Sequence, residues 1–347
     1  MKIFVTGGCG FIGSNFIINQ IIQNDSIIMN YDKITYAGNI NNLESVSNNK
    51  NYMHIYGDIC DYNTLEKSII DFKPNCVVHF AAESHVDRSI DSPFEFINTN
   101  ILGTANLLDV SSRYCKENDG FRFIHISTDE VYGSLGETGF FTEKTPYNPK
   151  SPYSSSKASS DHLVRSWNHT YGLPTIITNC SNNYGPMQFP EKLIPLMIIN
   201  CLNDKPLPVY GEGDNIRDWL YVSDHCRAIQ KVINNGKIGE TYNIGGNNEI
   251  KNIDIVTTIC NILDDLNPKS QKSSYKDLIT FVKDRPGHDY RYAIDSSKIQ
   301  KALEWKPIES FETGIYKTIE WYIENQPWWR KIQKKHYNQE RLGLKNT

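Results

Sequence analysis

A tyrosine and a lysine four residues apart, Tyr153 and Lys157, are a pair whose types and spacing could do chemistry. On a helix this spacing places both side chains on one face. An ammonium group near a phenol favours the phenolate, which could take a proton from an alcohol while a hydride leaves. The pair predicts a base for alcohol oxidation, although the same spacing also occurs on ordinary helix surfaces.

Two adjacent carboxylates, Asp129 and Glu130, follow the fifth strand predicted from the sequence. In an arbitrary loop such a pair would be solvated surface charge. Beside an oxidising tyrosine and lysine, they could instead act as an acid and a base in one pocket. A simple dehydrogenase needs neither, so the pair points to a reaction with a further proton transfer.

Three glycines, Gly7, Gly10 and Gly13, follow the first predicted strand and open the first predicted helix. In that context they would allow a tight turn, a close approach to a pyrophosphate and close helix packing. Asp32 ends the second strand about 20 residues later, where a carboxylate can bind ribose hydroxyls and repel a 2′-phosphate. The neighbouring Lys33 weakens the preference for NAD over NADP but does not reverse it. The pattern predicts NAD; the alternative is a glycine-rich turn followed by an ordinary surface aspartate.

Further candidates follow the third and fourth predicted strands. Asp58 and Ile59 could clasp the adenine, and the small residues Ala81 and Ala82 would leave room for the cofactor. Each of these residues could also be an ordinary residue at the end of a strand, with no ligand to contact. Their common location at the carboxyl edge of a sheet, where doubly wound folds bind ligands, favours a functional interpretation.

Alternating strands and helices must position these residues. Strands are predicted over Lys2–Thr6, Ile27–Asp32, His54–Gly57, Cys76–Phe80, Phe121–Ser127 and Thr175–Asn179. Helices are predicted over Phe11–Gln23, Asn63–Phe72, Phe94–Tyr114, Tyr153–Tyr171, Ile253–Leu263 and Phe311–Asn325. Because crossover helices make strands pair in parallel, the fold class is α/β, a Rossmann-type doubly wound parallel sheet with a smaller mixed α/β C-terminal substrate-binding cap. We expect an NAD-binding domain over residues 1–186 and a cap over residues 187–347, interleaved with it.

Composition excludes several other classes of function. The formal charge of −4 over 347 residues provides no basic field for nucleic acid or an anionic membrane. The eight cysteines form no C-x-x-C pair, so we expect neither a metal site nor a redox motif. The short apolar run after Met1 does not resemble a signal peptide, and none approaches the roughly 18 residues that span a bilayer. We expect a cytoplasmic protein.

The runs 7–13, 127–133 and 153–157 resemble the extended short-chain dehydrogenase/reductase family. Within it, the runs 81–89, 128–130, 179–186, 189–195 and 284–289 resemble the nucleotide-sugar 4,6-dehydratases of the dTDP-glucose type. The resemblance covers nearly the whole chain. It implies NAD as cofactor, a nucleotide-sugar substrate, a step toward rhamnose-type deoxysugars, and a homodimer formed through the helices over 94–114 and 153–171.

The resemblance also implies roles for individual residues. Tyr153 would be the base for the sugar 4-hydroxyl, with Lys157 as its electrostatic partner and Thr128 as a hydrogen-bond donor. Asp129 would be the acid and Glu130 the base of an elimination. The residues implied to contact NAD are Phe11, Ile12, Asp32, Lys33, Thr35, Asp58, Ile59, Thr99 and Asn183. Those implied to hold the nucleotide sugar are Ser84, Asp87, Asn182, Lys192, Leu193, Pro208, Tyr210, Arg217, Asn252, Arg285 and His288.

The residue types independently support diphosphate binding by Arg217 and Arg285, because a planar guanidinium can donate several hydrogen bonds to a diphosphate. Either arginine could equally be a surface salt-bridge partner. The implied reaction oxidises C4, removes the C5 proton, expels the C6 hydroxyl as water and returns hydride to C6. The choice between dTDP-glucose and UDP-glucose stays open, because it depends on a few contacts in the cap.

Two alternatives keep the fold and change the reaction: a nucleotide-sugar 4-epimerase and a decarboxylase. Epimerases have no elimination to perform and lack the adjacent acidic pair, whereas a decarboxylase needs a place for a uronate carboxylate. An alternative from another class is a catalytically silent NAD-sensing protein. Against it stands the presence of the tyrosine, the lysine and both acids.

Overall fold

The computed structural model describes residues 1–269, 273–284 and 288–336. Its strands are β1 (Lys2–Thr6), β2 (Ile27–Asp32), β3 (Tyr52–Tyr56), β4 (Cys76–His79), β5 (Arg122–Thr128), β6 (Thr175–Cys180), β7 (Asn182–Tyr184), β8 (Leu207–Tyr210), β9 (Ile216–Tyr221), β10 (Thr241–Ile244), β11 (Glu249–Lys251) and β12 (Ile279–Val282). Seven of them form a parallel sheet in the order β10-β6-β5-β4-β1-β2-β3. The predicted doubly wound α/β fold is confirmed.

Helices cover both faces of this sheet, and further helices belong to the smaller layer formed by the second half of the chain. They are α1 (Phe11–Asn24), α2 (Tyr62–Phe72), α3 (Val86–Asp91), α4 (Pro93–Phe96), α5 (Thr104–Cys115), α6 (Pro152–Tyr171), α7 (Leu193–Leu202), α8 (Val222–Asn235), α9 (Asn252–Leu266), α10 (Ser297–Leu303), α11 (Phe311–Glu324) and α12 (Gln326–His336). One face of the sheet packs against α1, α8 and α10, and the other against α2, α5 and α6. Burial on both faces explains the nearly continuous apolar strands.

The helix predicted over Phe94–Tyr114 is not one regular α-helix. It starts at Pro93, and a π-helical segment over Ile97–Gly103 joins α4 to α5. Within this segment, the Asn100 side chain bonds to the backbone N–H of Glu83 at 2.8 Å and to the hydroxyl of Ser156 at 2.8 Å. We attribute the wider helical turn to these buried tertiary bonds, which propensity along the sequence does not report.

The third strand was predicted too late in the chain. It runs from Tyr52 to Tyr56 rather than from His54 to Gly57, and it pairs with β2. Gly57 already lies against the ring of Tyr31, where a Cβ atom would come within 2.2 Å of the ring. The glycine therefore marks the end of pairing and the start of the loop that faces the cleft.

The second half of the chain forms a smaller layer and also returns to the main sheet. Strand β9 lies between β11 and β7, and β12 pairs with β8. A separate apolar core joins α7, α9 and α11 to these strands. Strand β10 nevertheless pairs with β6 in the main sheet, and α8 shares its core with α1. The two layers therefore meet along the carboxyl edge of the large sheet.

Candidate active site

A cleft of about 300 Å³ opens at the carboxyl ends of the parallel strands. Every residue predicted to contact the cofactor lines it: Gly7, Gly10, Phe11, Ile12, Gly13, Asp32, Lys33, Thr35, Asp58, Ile59, Ala81, Ala82, Thr99, Tyr153, Lys157 and Asn183. Residues spread over nearly 180 positions thus meet in one place. Their roles as ligand contacts stay predictions.

The glycine turn between β1 and α1 has the shape that a pyrophosphate requires. Gly7 has a φ of +74° and its N–H donates to the Tyr31 carbonyl at 3.1 Å. A Cβ on Gly13 would lie 2.4 Å from the Gly7 carbonyl oxygen, whereas one on Gly10 would meet its nearest atom at 3.4 Å. The backbone is therefore closed behind the turn and open at Gly10, where α1 begins and its free N–H groups favour an anion.

Asp32 is held at the end of β2 by the backbone. Its carboxylate accepts a hydrogen bond from the Cys9 N–H at 2.8 Å and from the Ile34 N–H at 2.7 Å. Lys33 turns instead toward Asp58, with 3.3 Å between its ammonium and that carboxylate. The fixed carboxylate suits a ribose diol, and Lys33 is already engaged with another acid. Buried oxygens of Asn182 and Gln188 in the same cleft have no hydrogen-bond partner among the described residues, which leaves acceptors for a bound ligand.

Tyr153 and Lys157 lie in the first two turns of α6, which begins at a capping box formed by Ser151 and Ser154. Burial, followed by the charge of Glu130, raises the pKa of the Tyr153 phenol well above its ordinary value. The ammonium of Lys157 donates to the Ile126 carbonyl at 2.9 Å, and burial lowers its pKa. Lys157 follows Tyr153 by one helical turn, and its role as the electrostatic partner of the phenol stays a prediction.

Asp129 and Glu130 form a short turn directly after β5. The Thr128 hydroxyl accepts a hydrogen bond from the Glu130 N–H at 3.3 Å and fixes the start of this turn. Asp129 is only 1% exposed. Burial, then Glu130 and Asp218, raises its pKa well above the ordinary value, so the protein environment favours the acid form of this carboxyl group. Two neighbouring carboxyl groups in different environments could serve as an acid and a base.

A second cleft, of about 270 Å³, lies between the sheet edge and the smaller layer. The predicted nucleotide-sugar contacts that line it are Asp87, Asn182, Lys192, Leu193, Pro208, Tyr210, Arg217, Asn252 and His288. Ser84 and Thr128 line the first cleft instead, and Arg285 lies outside the described residues. Glu130, Asn182, Glu191 and Lys192 line both clefts, so the acidic pair stands where they join.

Arg217 is a buried residue and does not lie on the surface. It is 5% exposed, and its guanidinium donates to the carbonyls of Ile216 and Asp289 at 2.7 and 2.9 Å. The same group lies 4.3 Å from the ring centre of Tyr292. This arginine is therefore a rigid cation in the wall of the second cleft, as diphosphate binding would require.

A cluster of three side chains, Tyr36, Arg88 and Glu191, joins the two layers and was not predicted from the sequence. Arg88 Nε donates to the buried carboxylate of Glu191 at 2.8 Å, and the Tyr36 hydroxyl donates to its other oxygen at 3.1 Å. The Arg88 guanidinium also stacks 3.7 Å from the centre of the Tyr36 ring. Arg88 and Glu191 each lie in one of the sequence runs that resemble the dehydratases, and those runs could have indicated that the two residues are functional.

Two classes of site are absent from the described part of the chain. No three histidine, cysteine, aspartate or glutamate side chains converge there as metal ligands would. None of its helices has the length and apolar character needed to cross a bilayer. All eight cysteines are free thiols.

Comparisons with known proteins agree with this geometry. Residues 4–318 match the family model described as GDP-mannose 4,6 dehydratase. The chain is 56% identical to the dTDP-glucose 4,6-dehydratase of Neisseria meningitidis serogroup B, over 99% of both chains, and 57% identical to dTDP-glucose 4,6-dehydratase 1 of Escherichia coli K12, over 94% of each. Its fold matches the crystal structure of the dTDP-glucose 4,6-dehydratase of Bacillus anthracis in complex with NAD, with a TM-score of 0.86 and 45% identity, covering 96% of this chain and 99% of that one. The matched span contains both clefts.

Proposed function

Because this chain belongs to the nucleotide-sugar 4,6-dehydratase family of extended short-chain dehydrogenases/reductases, we propose that it converts dTDP-glucose to the 4-keto-6-deoxy sugar. NAD is its cofactor. The observation that carries the proposal is the buried carboxyl group of Asp129, whose pKa is raised by burial, next to Glu130, which lines both clefts. The reaction removes water, so we assign the enzyme to the hydro-lyases.

Oxidation at C4 requires a base for the 4-hydroxyl proton, and Tyr153 is that base. When bound, NAD supplies the hydride acceptor for C4, the hydride donor for C6, and a positive ring charge that favours the phenolate. The hydroxyl of Thr128 hydrogen-bonds to the phenol and opposes the effect of burial on its pKa. Thr128 thus holds the phenol oxygen in the orientation that the proton transfer needs.

Elimination of water requires a base for the C5 proton and an acid for the C6 hydroxyl. The ketone at C4 acidifies the C5 hydrogen, so the carboxylate of Glu130 can remove it. Asp129 holds the proton that the departing hydroxyl must receive, because its burial and the neighbouring negative charges disfavour ionisation. Hydride then returns to C6 while Glu130 returns a proton to C5, so the product keeps its ketone at C4. The proton that Tyr153 takes from the 4-hydroxyl balances the proton that Asp129 gives to the departing water.

The same site argues against the alternatives with the same fold. A 4-epimerase needs a base at the 4-hydroxyl and no acid for a leaving group, so the acid Asp129 would be superfluous. A decarboxylase would have to accept a uronate carboxylate near Glu130, whose negative charge would repel it. A silent NAD-binding protein would not need either acid.

We also propose a homodimer. Phe94 is 76% exposed, and Ile97 and Leu102 are exposed further along the same helical run. These apolar side chains, together with exposed Tyr171 at the end of α6, would be covered by the same helices of a second copy. We place the enzyme in the cytoplasm, where the reducing conditions suit eight free thiols.

The test is incubation of the purified protein with dTDP-glucose, UDP-glucose and UDP-glucuronate in separate reactions. Mass spectrometry should show loss of one water from dTDP-glucose, and initial rates should favour it over UDP-glucose. Release of carbon dioxide from the glucuronate, or an epimerised product of unchanged mass, would replace the proposal with one of its alternatives. No change in any of the three sugars would favour the silent NAD-binding protein.

A further inference from the structure

Asp161 is a buried carboxylate on α6, one helical turn after Lys157, and it lines neither cleft. Its side chain is 0% exposed. His125 Nε2 lies 3.2 Å from one carboxylate oxygen, and the Tyr147 hydroxyl donates to the other at 2.8 Å. Asn179 Nδ2 lies 3.4 Å from that second oxygen. The Tyr147 hydroxyl and the Asn179 amide donate to the same carboxylate oxygen, and the oxygen that faces His125 accepts no hydrogen bond from the described residues. Burial raises the pKa of Asp161, but its polar neighbours and Lys157 outweigh burial and lower the pKa below its ordinary value.

Lys157 needs such a partner. Its ammonium is buried, with a hydrogen bond to the Ile126 carbonyl, and a buried ammonium is costly without a neighbouring negative charge. Burial lowers the pKa of Lys157, and Asp161 is the main influence that raises it again. The thiol of Cys180, from β6, stands nearby, but burial raises its pKa to about 12 and it stays neutral.

The other titratable groups around the pair are neutral at physiological pH or stand on its far side. Burial lowers the pKa of His125 on β5 to about 4 and that of His79 on β4 well below its ordinary value. Burial raises the pKa of the phenols of Tyr132 and Tyr147. The Arg165 guanidinium donates to the Tyr147 hydroxyl at 2.7 Å. Asp161 and Lys157 form no direct ion pair, but both are buried and lie one turn apart on the same face of α6, so Asp161 is the negative charge placed to balance Lys157.

Asp161 is also joined to the turn that carries the two catalytic acids. The side-chain amide of Asn179 donates to the Thr128 carbonyl at 3.0 Å and also approaches Asp161. Lys157 itself bonds to the Ile126 carbonyl on the same strand. The carboxylate thus connects α6, which carries Tyr153, to the end of β5, which leads into Asp129.

We propose that Asp161 is a positioning residue for this reaction: it is the counter-charge of Lys157 and the anchor that joins α6 to the ends of β5 and β6. It acts through Lys157 and never touches the sugar. This inference rests on the proposed function, because that function makes Lys157 the electrostatic partner of the catalytic phenol.

The first test compares the pH profiles of Asp161→Asn and Tyr147→Phe. Without the carboxylate, the pKa of Lys157 falls, so the alkaline limb of kcat should move to lower pH by about one unit or more, with a larger change in kcat than in KM. Tyr147→Phe removes a neutral hydrogen bond to the same carboxylate and keeps its charge, so its alkaline limb should stay in place. An unshifted limb in Asp161→Asn, or equal shifts in both variants, would overturn the proposal.

The second test measures stability and needs no activity. Unfolding equilibria are measured by chemical denaturation for Asp161→Asn, Lys157→Met and the double variant. Each single change leaves a buried charge without its counter-charge. The unfolding equilibrium constant of the double variant should therefore be smaller, by about tenfold or more, than the value obtained by multiplying the effects of the two single changes. Folding of the double variant but not of Asp161→Asn would support the same conclusion.

Multiplicative effects, or failure of both Asp161 variants to fold, would show that the carboxylate serves the fold independently of Lys157. The two tests also separate this inference from the proposed function. If the Asp161 and Lys157 substitutions are coupled in stability but no nucleotide sugar is dehydrated, the pairing of the two residues stands and the proposed function is refuted. If sugars are dehydrated but there is neither coupling nor a shifted pH profile, the proposed function stands and the role of Asp161 is refuted.

Discussion

Asp129 and Glu130 are adjacent in the chain but face different surroundings. The carboxyl group of Asp129 is buried in the first cleft, which raises its pKa, whereas Glu130 is partly exposed and lines both clefts. Neighbouring acids in different environments are thereby suited to opposite proton transfers. The difference arises because the turn after β5 directs one side chain inward and leaves the other at the junction.

This difference predicts that only one acid variant is rescued by a better leaving group. Asp129→Asn should be impaired by roughly 100-fold or more with the natural sugar and should recover much of its elimination rate with a 6-fluoro analogue, since fluoride needs little protonation. Glu130→Gln should stay slow with both, because the C5 proton must still be removed. Elimination rates with the two substrates check this. The reverse pattern would exchange the two roles, and unimpaired variants would remove both.

Tyr153→Phe should block oxidation at C4, because no other group is placed to take the hydroxyl proton. Loss of a positioned base typically costs on the order of 100- to 10,000-fold in rate. The measurement is single-turnover appearance of reduced cofactor absorbance after mixing with substrate. Circular dichroism and bound NAD should match the parent protein. Near-normal turnover in this folded variant would remove Tyr153 as the base.

We expect NAD to co-purify with the protein, since each turnover regenerates it and the Tyr36, Arg88 and Glu191 cluster joins the two layers beside it. Glu191→Gln removes the charge that pairs with Arg88 and should speed loss of NAD by about tenfold. NAD remaining after repeated gel filtration gives this rate. Glu240→Gln removes an ion pair with Lys298 away from both clefts and should leave it unchanged. Equal retention in all three proteins would deny the cluster this role.

Two glycines of the cofactor turn should respond differently to alanine. Gly13→Ala would place a Cβ atom 2.4 Å from a backbone oxygen, so it should destabilise the fold by about 1–3 kcal/mol. Gly10→Ala meets no such obstacle in the protein and should fold normally, while its methyl group occupies the place expected for the pyrophosphate. Thermal denaturation and NAD content distinguish the two. Normal NAD binding by Gly10→Ala would place the pyrophosphate elsewhere.

Local patterns in the sequence were sufficient to place β1 to β6, whereas β7 to β12 were not predicted and the dehydration chemistry came from the family resemblance. Strands β1 and β2 were predicted with their observed bounds, because each is a short, largely apolar run that stands out from its neighbours. The spacing of Tyr153 and Lys157 on one helix was equally direct. The failures were at places where tertiary contacts decide backbone geometry, as in the π-helical segment around Asn100.

The sequence by itself determined which chemical groups are present, their order along the chain and the sheet edge to which they belong, since these follow from strand and helix periodicity. Only the tertiary structure decided the burial of Asp129 and its raised pKa, the place of Glu130 between the clefts and the pairing of Glu191 with Arg88. A pKa and an ion pair depend on burial and on charges that come from distant parts of the chain. Those distances exist only after the layers have packed, which is why Asp161 carried no signal in the sequence and became informative beside Lys157 and His125.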